Sequence, residues 1–384
     1  MTKAKPYCLM PWIHYHVGNG DRVKACCVAN IPYGDCNTQS FAEIWNGDAI
    51  NELRAKFARG EKDPRCAVCH RLEAAGGRSI RQETHEKFAD CDIENILPVY
   101  FDIRFSNACN FACRTCWHGA SSAWFPEAKQ MKRNLGDKAL LQNIRDFDTF
   151  IAETGEALLQ AKEIYFAGGE PLVTKEHYQL LDWLVKNNAT QIHLRYNTNF
   201  SILQMGEYNV LDYWKLFSKV EILSSIDGHG KLGEYIRKGF DWEKYKQNRE
   251  LIRKYKHIKF LIAPTISVFS ILNLPALYQI CLQEQIIDAD AFYINMLDRP
   301  LHYNTKALPE SNKKMVVAEF QKFYQWAEKK QIPQSVINQF KECERYMLSE
   351  DLSKQWKNFQ KETAHLDKMR GEKLEEVLIG SCEF

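Results

Sequence analysis

The sequence predicts an α/β protein, and three observations point to this class. Between residues 98 and 300, six runs rich in β-branched and aromatic residues alternate with amphipathic stretches of helical periodicity. Such alternation is typical of parallel strands joined by right-handed helical crossovers. A cysteine-rich segment precedes the alternation, and a charged, helical segment follows it. We therefore predict three regions, at 1–97, 98–300 and 301–384.

The middle region supplies the elements of the predicted sheet. In chain order, the strands are 100–107, 163–171, 191–199, 220–228, 259–267 and 291–297, and helices are predicted at 177–188, 209–218 and 242–256. Periodicity alone fits both a partial barrel and an open, doubly wound sheet. In both architectures, ligands bind at the carboxyl ends of the strands.

Composition excludes several classes of protein. The 384 residues are 45% hydrophobic and 26% charged, with a net charge of +2. This balance argues against nucleic acid or an acidic membrane surface as a partner. No apolar run reaches the roughly eighteen residues of a membrane-spanning helix. The first twelve residues lack an apolar signal-peptide core, so we expect a cytoplasmic protein.

Thirteen cysteines are unusual for that compartment, and ten of them lie in the first 116 residues. Because cytosolic thiols stay reduced, clustered cysteines there indicate metal binding or chemistry rather than disulfides. The sharpest motif is Cys109-x3-Cys113-x2-Cys116, which follows the first predicted strand. Three thiolates on one loop suit three corners of a 4Fe–4S cluster and leave the fourth iron open. A zinc site completed by His118 is the alternative.

A second group of cysteines precedes the sheet. Cys66-x2-Cys69 together with Cys8 and Cys26 reads as a four-thiolate cluster site, although Cys27 is an alternative to Cys26. Four thiolates also make a structural zinc pattern. Cys36 and Cys91 have no partner at a diagnostic spacing, and we do not expect them to bind metal.

Polar residues gather where successive predicted strands end. These segments are 168–171 (GGEP), 197–199 (NTN), 225–228 (SIDG) and 265–267 (TIS). Each segment taken singly is equally typical of a turn. Their occurrence at the same end of successive strands favours one shared ligand site.

These motifs resemble the radical S-adenosylmethionine (SAM) superfamily over about residues 98–300. The resemblance implies a partial (β/α)6 TIM-like barrel in which Cys109, Cys113 and Cys116 hold the catalytic 4Fe–4S cluster. It also implies that SAM is bound by Gly168, Gly169, Glu170, Asn197, Thr198, Asn199, Ser225, Asp227, Arg237, Thr265, Ile266 and Ser267. Thr115 stands where the family usually has an aromatic residue near adenine, and Trp117 follows two positions later.

Particular roles follow from the same resemblance. Glu170 and nearby backbone oxygens are expected to bind the SAM amino group. Arg237 is suited to the methionine carboxylate, because its guanidinium donates two parallel hydrogen bonds. Asn197 and Asn199 are expected near the ribose or carboxylate, and the backbone of 265–267 near adenine.

The N-terminal region resembles the twitch domain, a shortened form of the SPASM auxiliary-cluster domain. By this resemblance, Cys8, Cys26, Cys66 and Cys69 hold an auxiliary 4Fe–4S cluster. The step from Gly20 to Cys26 is one residue longer than the usual Gly-x4-Cys. The family more often places this module after the barrel, whereas here it comes first, as in a group of uncharacterised twitch-domain proteins that this chain resembles.

The implied activity is reductive cleavage of SAM, followed by abstraction of a hydrogen atom from a substrate. An auxiliary cluster favours a net oxidation or a bond-forming modification of a peptide or protein residue. The implied partners are the substrate and a one-electron reductant such as flavodoxin or ferredoxin. Two alternatives stay open: dehydrogenation or epimerisation of a small molecule such as a sugar or amino acid, and a zinc-stabilised binding protein without catalysis.

Some polar residues within the predicted strands have simpler interpretations. His14 and His16 alternate like residues on one face of a strand, and we expect structural roles for both. Arg104 and Arg195 lie inside predicted strands, where a buried guanidinium requires an acidic partner or an anionic ligand. Tyr165, Tyr196 and Tyr293 are expected to pack in the core.

Overall fold

Short helices and three strands form the first part of the chain. A computed structural model describes residues 7–18, 20, 22–74, 77–91, 93 and 97–377. The elements before residue 98 are α1 (Met10–Ile13), β1 (His14–Val17), β2 (Val23–Cys26), β3 (Ala29–Gly34), α2 (Phe41–Trp45), α3 (Asp48–Ala58), α4 (Ala67–Ala74) and α5 (Ile80–Lys87). Strands β1, β2 and β3 pair in antiparallel order.

The middle of the chain alternates strands and helices, as predicted. Its elements are β4 (Tyr100–Ile103), β5 (Ala112–Cys113), α6 (Phe125–Gln130), α7 (Phe147–Leu159), β6 (Glu163–Phe166), α8 (Lys175–Lys186), β7 (His193–Thr198), β8 (Gln204–Met205), β9 (Tyr208–Asn209), α9 (Val210–Trp214), β10 (Val220–Ser224), α10 (Gly230–Ile236), β11 (Arg237–Lys238), α11 (Trp242–Ile252), β12 (Ile258–Ile262), β13 (Thr265–Ile266), α12 (Leu274–Gln283) and β14 (Asn295–Met296).

Helices dominate after residue 300. They are α13 (Glu310–Lys329), α14 (Gln334–Leu348), α15 (Trp356–Arg370) and α16 (Leu374–Val377). Short 3₁₀ turns occur at Pro64–Cys66, Ser122–Trp124, Pro171–Val173, Ile271–Asn273, Leu301–Tyr303, Thr305–Ala307 and Ser353–Gln355. Among all the described residues of the chain, no helix is both long and apolar enough to cross a bilayer.

The order of the parallel strands distinguishes a barrel from a doubly wound sheet. The main sheet runs β12-β10-β7-β6-β4-β1-β2-β3, so β4, β6, β7, β10 and β12 lie side by side in chain order. All neighbouring pairs from β4 to β12 are parallel. A doubly wound sheet reverses its strand order at a switch point, and this sheet does not. The predicted α/β class and partial barrel are therefore confirmed.

The two faces of this sheet differ in chemistry. On one face, Phe166 contacts His177 of α8 at a ring separation of 4.8 Å, and Tyr196 contacts Trp214 of α9 at 5.2 Å. The opposite face carries a row of polar side chains in register across six strands. We call this the polar row: His16, Asp102, Tyr165, Arg195, Glu221 and Lys259. It lies on the face opposite to α8 and α9, which is the concave side of the partial barrel.

The N-terminal strands extend the barrel sheet directly. Strand β1 pairs with β4 in parallel, with His14 opposite Tyr100 and His16 opposite Asp102. The predicted boundary between residues 97 and 98 therefore separates two regions whose strands belong to the same sheet.

The sixth predicted strand is shorter than expected. Instead of 291–297, the regular strand β14 covers only Asn295–Met296, and Phe292 makes an isolated bridge to Ile262. The neighbouring strand is divided at Pro264, between β12 and β13. Proline has no backbone N–H to donate to a neighbouring strand, which accounts for the break at this position.

Candidate functional site

The CxxxCxxC loop is held rigidly beyond the end of β4. Its backbone is fixed by the segment that follows: Ser121 Oγ donates to Phe111 O at 2.6 Å, and Trp124 Nε1 donates to Cys113 O at 2.7 Å. Cys113 lies in β5, which pairs with β11. Side chains of the following segment thus hold the backbone of the loop at Phe111 and Cys113.

The three thiols of this loop lie in a common, mostly buried environment. Cys113 is 8% exposed, and Cys109 and Cys116 are half-buried. Burial raises the pKa of the Cys109 thiol to about 11, and the other two thiols, whose pKa burial also raises, lie close enough to interact with it. Adjacent buried thiolates are stable only with a cation, so the loop fits a metal centre that displaces the protons.

The GGEP segment lies directly against this loop because two glycines allow it. A Cβ on Gly169 would lie 2.1 Å from Ala108 O, and Gly168 has a φ of +119°. Glu170 N donates to Ala108 O at 2.7 Å. The end of β6 and the start of the cysteine loop are thus in backbone contact, which any side chain at residue 169 would prevent.

The Glu170 carboxylate is buried where β6 and β7 end. It accepts hydrogen bonds from Leu172 N at 3.0 Å, Thr198 Oγ1 at 2.6 Å and Asn199 N at 2.6 Å. Burial nevertheless raises the pKa of Glu170 to about 7, against the lowering effect of these donors. A buried carboxylate with spare acceptor capacity suits an ammonium ligand.

Asn199 links the third strand to the cysteine loop. Its Nδ2 donates to Asn110 Oδ1 at 2.9 Å, and its Oδ1 accepts from Ser201 Oγ at 2.7 Å. Asn197 lies two residues earlier and half-buried, and its buried Oδ1 has no hydrogen-bond partner among the described residues. These two amides therefore differ: the first is satisfied by the protein and the second is available.

Arg237 and Asp227 form a buried ion pair beside the loop. Arg237 Nε lies 2.8 Å from Asp227 Oδ2, and Nη2 donates to Asp227 Oδ1 at 3.0 Å. The same Oδ1 accepts from Thr265 N at 2.7 Å, and Arg237 Nη1 lies 3.9 Å from Cys113 Sγ. One side of the guanidinium is thus occupied by Asp227, so a SAM carboxylate would have to share it.

Two other predicted SAM contacts make bonds within the protein. Ser225 is half-buried, and its N donates to Thr198 O at 2.8 Å. Ser267 is fully buried, and its Oγ accepts from Phe269 N at 3.3 Å within a turn. The Ser267 side chain therefore serves the local turn, and its proposed role rests on its backbone.

The second cysteine group lines a single cavity. Cys8, Cys26, Cys66 and Cys69 all face one small cavity, whose other walls include Tyr7, Met10, Val28, Ala29, Val68, Ile80 and Arg81. Burial raises the pKa of Cys8 to about 12 and that of Cys66 to about 11. No described cysteine forms a disulfide. The predicted quartet therefore fits a metal cluster, which takes thiolate ligands.

Cys27 does not line this cavity, although the sequence left it as an alternative to Cys26. Its side chain is exposed, and the charges of the nearby Asp102 and Arg104 act on its thiol.

The two strand arginines have acidic partners, as their burial requires. Arg104 Nε contacts Asp102 Oδ1 at 3.3 Å, and Arg195 Nε contacts Glu221 Oε1 at 2.8 Å. Of the three tyrosines expected in the core, Tyr196 is fully buried. Tyr293 is 40% exposed, and Tyr165 lies in the polar row, so this expectation was wrong for Tyr293.

Sequence analysis missed the partners of Arg114, which lies inside the cysteine motif. Arg114 is 1% exposed, and its Nη2 donates to Asp367 Oδ1 and Glu372 Oε2, both at 2.5 Å. Its guanidinium also stacks on Tyr235 at 3.6 Å. The only signal in the sequence was a charged residue between two cysteines, which does not identify acids more than 250 positions away.

The N-terminal segment that forms the cavity matches a known family. Residues 8–70 match SPASM, an iron-sulfur cluster-binding domain. This segment contains all four cysteines of the cavity. The prediction of an auxiliary iron–sulfur domain is therefore confirmed for these residues. No curated protein matches the chain significantly.

Several solved structures are similar to this chain at low identity. Native anSMEcpe with bound AdoMet is 18% identical over 60% of each chain, with a TM-score of 0.41. Streptococcus suis SuiB bound to S-adenosylmethionine is 14% identical, covers 68% of this chain and 56% of its own, and has a TM-score of 0.39. SuiB bound to precursor peptide SuiA gives 14% identity, 71% and 60% coverage and a TM-score of 0.39. The chain thus spans about 60% of the length of the structures it matches.

Proposed function

We propose that this chain is a radical SAM enzyme with an auxiliary iron–sulfur cluster. One observation carries the proposal: the three-cysteine loop makes direct contacts with polar residues from the ends of the neighbouring parallel strands. Ala108 bonds to Glu170, Asn110 bonds to Asn199, and Cys113 lies beside Arg237. A binding protein on the same scaffold would not require contacts between a thiol-rich loop and the polar residues at these strand ends.

Cys109, Cys113 and Cys116 would hold the catalytic 4Fe–4S cluster. When bound and reduced, such a cluster supplies one electron to SAM, which yields methionine and a 5′-deoxyadenosyl radical able to remove a hydrogen atom from a substrate. Glu170 would bind the SAM ammonium group, and Asn197 offers an unpaired buried amide oxygen to the ligand.

Cys8, Cys26, Cys66 and Cys69 would hold the auxiliary cluster. Their cavity is lined by Cys26 of β2 and Ala29 of β3, and Cys26 is followed directly by Cys27, which lies near Asp102 of the polar row. This arrangement supports electron transfer between the substrate region and the auxiliary site. We therefore propose a net oxidation or bond-forming modification, with a peptide or protein residue as substrate and flavodoxin or ferredoxin as reductant.

The polar row favours a second candidate, a small polar substrate such as a sugar or amino acid. Arg195 and Lys259 both contact Glu221, and Tyr165 packs beside Arg195 with the guanidinium 5.5 Å from its ring. Charged and hydroxyl groups on the concave face would bind a polar molecule through hydrogen bonds. Product analysis with a peptide and a sugar substrate would distinguish the two candidates.

The test of catalysis is to replace Cys109, Cys113 and Cys116 by alanine in the anaerobically reconstituted protein. Wild type should hold about eight irons per chain, and the triple variant about four. Only wild type should form 5′-deoxyadenosine with dithionite and SAM. Cys91→Ala is the matched control and should behave as wild type. Full iron and continued SAM cleavage in the triple variant would overturn the assignment of the catalytic cysteines. A wild-type protein that is colourless and contains zinc would overturn the proposal that the chain is an enzyme.

A further inference from the structure

Two histidines and an aspartate lie close together on one face of the main sheet, and they belong to neither cysteine group. His14 and His16 lie on one face of β1, and Asp102 lies opposite His16 on β4. Their ligand atoms are all within 4.8 Å of one another. The residues are 1%, 3% and 0% exposed, respectively. Three buried side chains with metal-ligating atoms thus converge at the junction of the N-terminal strands and the barrel.

The contacts of His14 leave one ring nitrogen without a partner. Its Nδ1 lies 3.2 Å from Ala25 O, and because a carbonyl only accepts, Nδ1 carries the proton. Nε2 is then a buried lone pair with no hydrogen-bond partner among the described residues. An unsatisfied buried acceptor is costly and calls for an unseen ligand. Donation from the other nitrogen to a carbonyl is also how metal-bound histidines are oriented.

The other two side chains of the group are in direct contact. His16 Nδ1 lies 2.9 Å from Asp102 Oδ2, so a metal ion bound by both atoms would take the place of a hydrogen bond between them.

One neighbouring charge opposes a cation, and its contacts are long. Arg104 reaches Asp102 Oδ1 at 3.3 Å through Nε and Oδ2 at 3.5 Å through Nη2. Both distances exceed the usual range for charge-assisted hydrogen bonds. The carboxylate therefore retains lone pairs for a cation.

We propose that His14, His16 and Asp102 form a mononuclear site for a divalent transition metal, with Zn²⁺ as the reference ion. Two imidazoles and one carboxylate are a ligand set that zinc and non-haem iron both accept. The site cross-links β1 to β4, and so ties the iron–sulfur domain to the barrel. It is independent of the cysteine sites and of the reaction proposed above.

Zinc binding to the iron-loaded full-length chain tests the site. The reconstituted protein is dialysed anaerobically against Zn²⁺, and its zinc, iron and zinc X-ray absorption spectrum are measured. We expect one zinc per chain with only nitrogen and oxygen ligands, at about 2.0–2.2 Å. A sulfur shell near about 2.3 Å would place zinc on cysteines and overturn the proposal. Failure to retain zinc would overturn it as well.

Substitutions then assign the ligands. His14→Gln and Asp102→Asn should each reduce bound zinc at least tenfold while iron stays at the wild-type level. His365→Gln, at an exposed histidine of α15, is the control and should retain zinc. Wild-type zinc content in an iron-loaded His14→Gln variant would remove His14 from the site. If a variant loses iron as well, the wild-type X-ray spectrum decides the outcome.

Discussion

At the scale of single residues, the buried pair of Arg237 and Asp227 connects the fourth strand to the cysteine loop. Asp227 is 2% exposed, and the guanidinium is its main counter-charge. Removing one member of such a pair leaves an uncompensated buried charge, which costs about 3–5 kcal/mol. The two possible roles of Arg237, pairing with Asp227 and binding the SAM carboxylate, are therefore separable only when both residues are changed.

We predict that Arg237→Ala destabilises the protein by about 3–5 kcal/mol in chemical denaturation. The double variant Asp227→Asn with Arg237→Met should recover most of this stability, because no unpaired charge remains. If Arg237 also binds the SAM carboxylate, the double variant should bind SAM about 1.5–3 kcal/mol more weakly than wild type in a titration.

The matched control for this experiment is Lys231→Ala, at an exposed cation of the same segment. It should change neither stability nor SAM affinity. A stable double variant whose SAM dissociation constant is within about twofold of wild type, well short of that range, would show that Arg237 acts only through Asp227.

Glu170 should give the protein a measurable pH dependence. The pKa of Glu170 is about 7 in the folded protein, above the ordinary value of 4.5, because the carboxyl is buried. A raised folded-state pKa means that the stability contribution is complete below about pH 4.5 and is lost as the pH rises through 7. We therefore expect wild type to lose roughly 1–3 kcal/mol between pH 5 and 8, relative to Glu170→Gln.

Thermal or denaturant unfolding of both proteins without SAM, across this pH range, measures the effect. The informative quantity is the pH dependence of the difference, since Gln also changes the bonds to Thr198 and Asn199. Parallel pH profiles for the two proteins would contradict the assignment of this pKa to Glu170.

At the scale of elements, the C-terminal helix α15 holds the cysteine loop in place. Arg114 bonds to Asp367 of α15 and to Glu372 beyond it. From the same helix, Arg370 Nη2 donates to Ala112 O at 2.7 Å and pairs with Glu127 at 2.6 Å. Two arginines thus join the loop to a helix that the sequence had assigned only to a charged, helical region.

We predict that Asp367→Asn combined with Glu372→Gln selectively weakens the catalytic cluster. The buried Arg114 would then lack a charged partner, at a cost of about 3–5 kcal/mol. Because this cost falls on the loop, iron should decrease by about half after reconstitution, with SAM cleavage lost and the auxiliary site retained.

Glu362→Gln provides the control, since Glu362 lies on the same helix and pairs with Arg133 at the surface. Exposed pairs contribute about 0–1 kcal/mol, so this variant should match wild type in iron and activity. Full iron and normal SAM cleavage in the Asp367 and Glu372 double variant would show that α15 does not position the loop.

At the scale of the whole molecule, the iron–sulfur domain and the barrel share one sheet. Residues 8–70 contribute β1, β2 and β3, and β1 continues the sheet at β4. The cluster cavity lies beside this junction, with Cys8 and Cys26 buried among the hydrophobic side chains around Met10 and Tyr100. Loss of the auxiliary cluster should therefore affect the cavity walls more than the strands.

We predict that Cys66→Ala with Cys69→Ala removes about half of the iron and abolishes product. Uncoupled 5′-deoxyadenosine should still form, because the three-cysteine loop and the strand ends proposed to bind SAM lie in a different part of the sheet. Hydrogen exchange should increase in α4 but not in β1, whose amides are bonded within the main sheet.

Cys91→Ala is again the control and should leave exchange and iron unchanged. Loss of SAM cleavage while the catalytic cluster remains intact would contradict this division of roles. Faster exchange throughout β1 would show that the sheet itself depends on the auxiliary cluster.

Much of this molecule followed from local patterns in the sequence. The strands of the barrel, the C-terminal helices and the cysteine quartet that includes Cys26 were all predicted from periodicity, spacing and resemblance. These features are readable because hydrophobic period and metal-ligand spacing are properties of short segments. Glu170 and Gly169 also belong to this group, since a four-residue motif marks the strand end.

Only the tertiary structure decided which distant groups meet. It joined β1 to β4, gave Arg114 its acids 253 and 258 positions away, and occupied one side of Arg237 with Asp227. It also brought His14 beside Asp102, although both looked like ordinary strand residues. The physical reason is that buried charges and lone pairs are satisfied by whatever the fold brings near, and sequence separation carries no information about that distance.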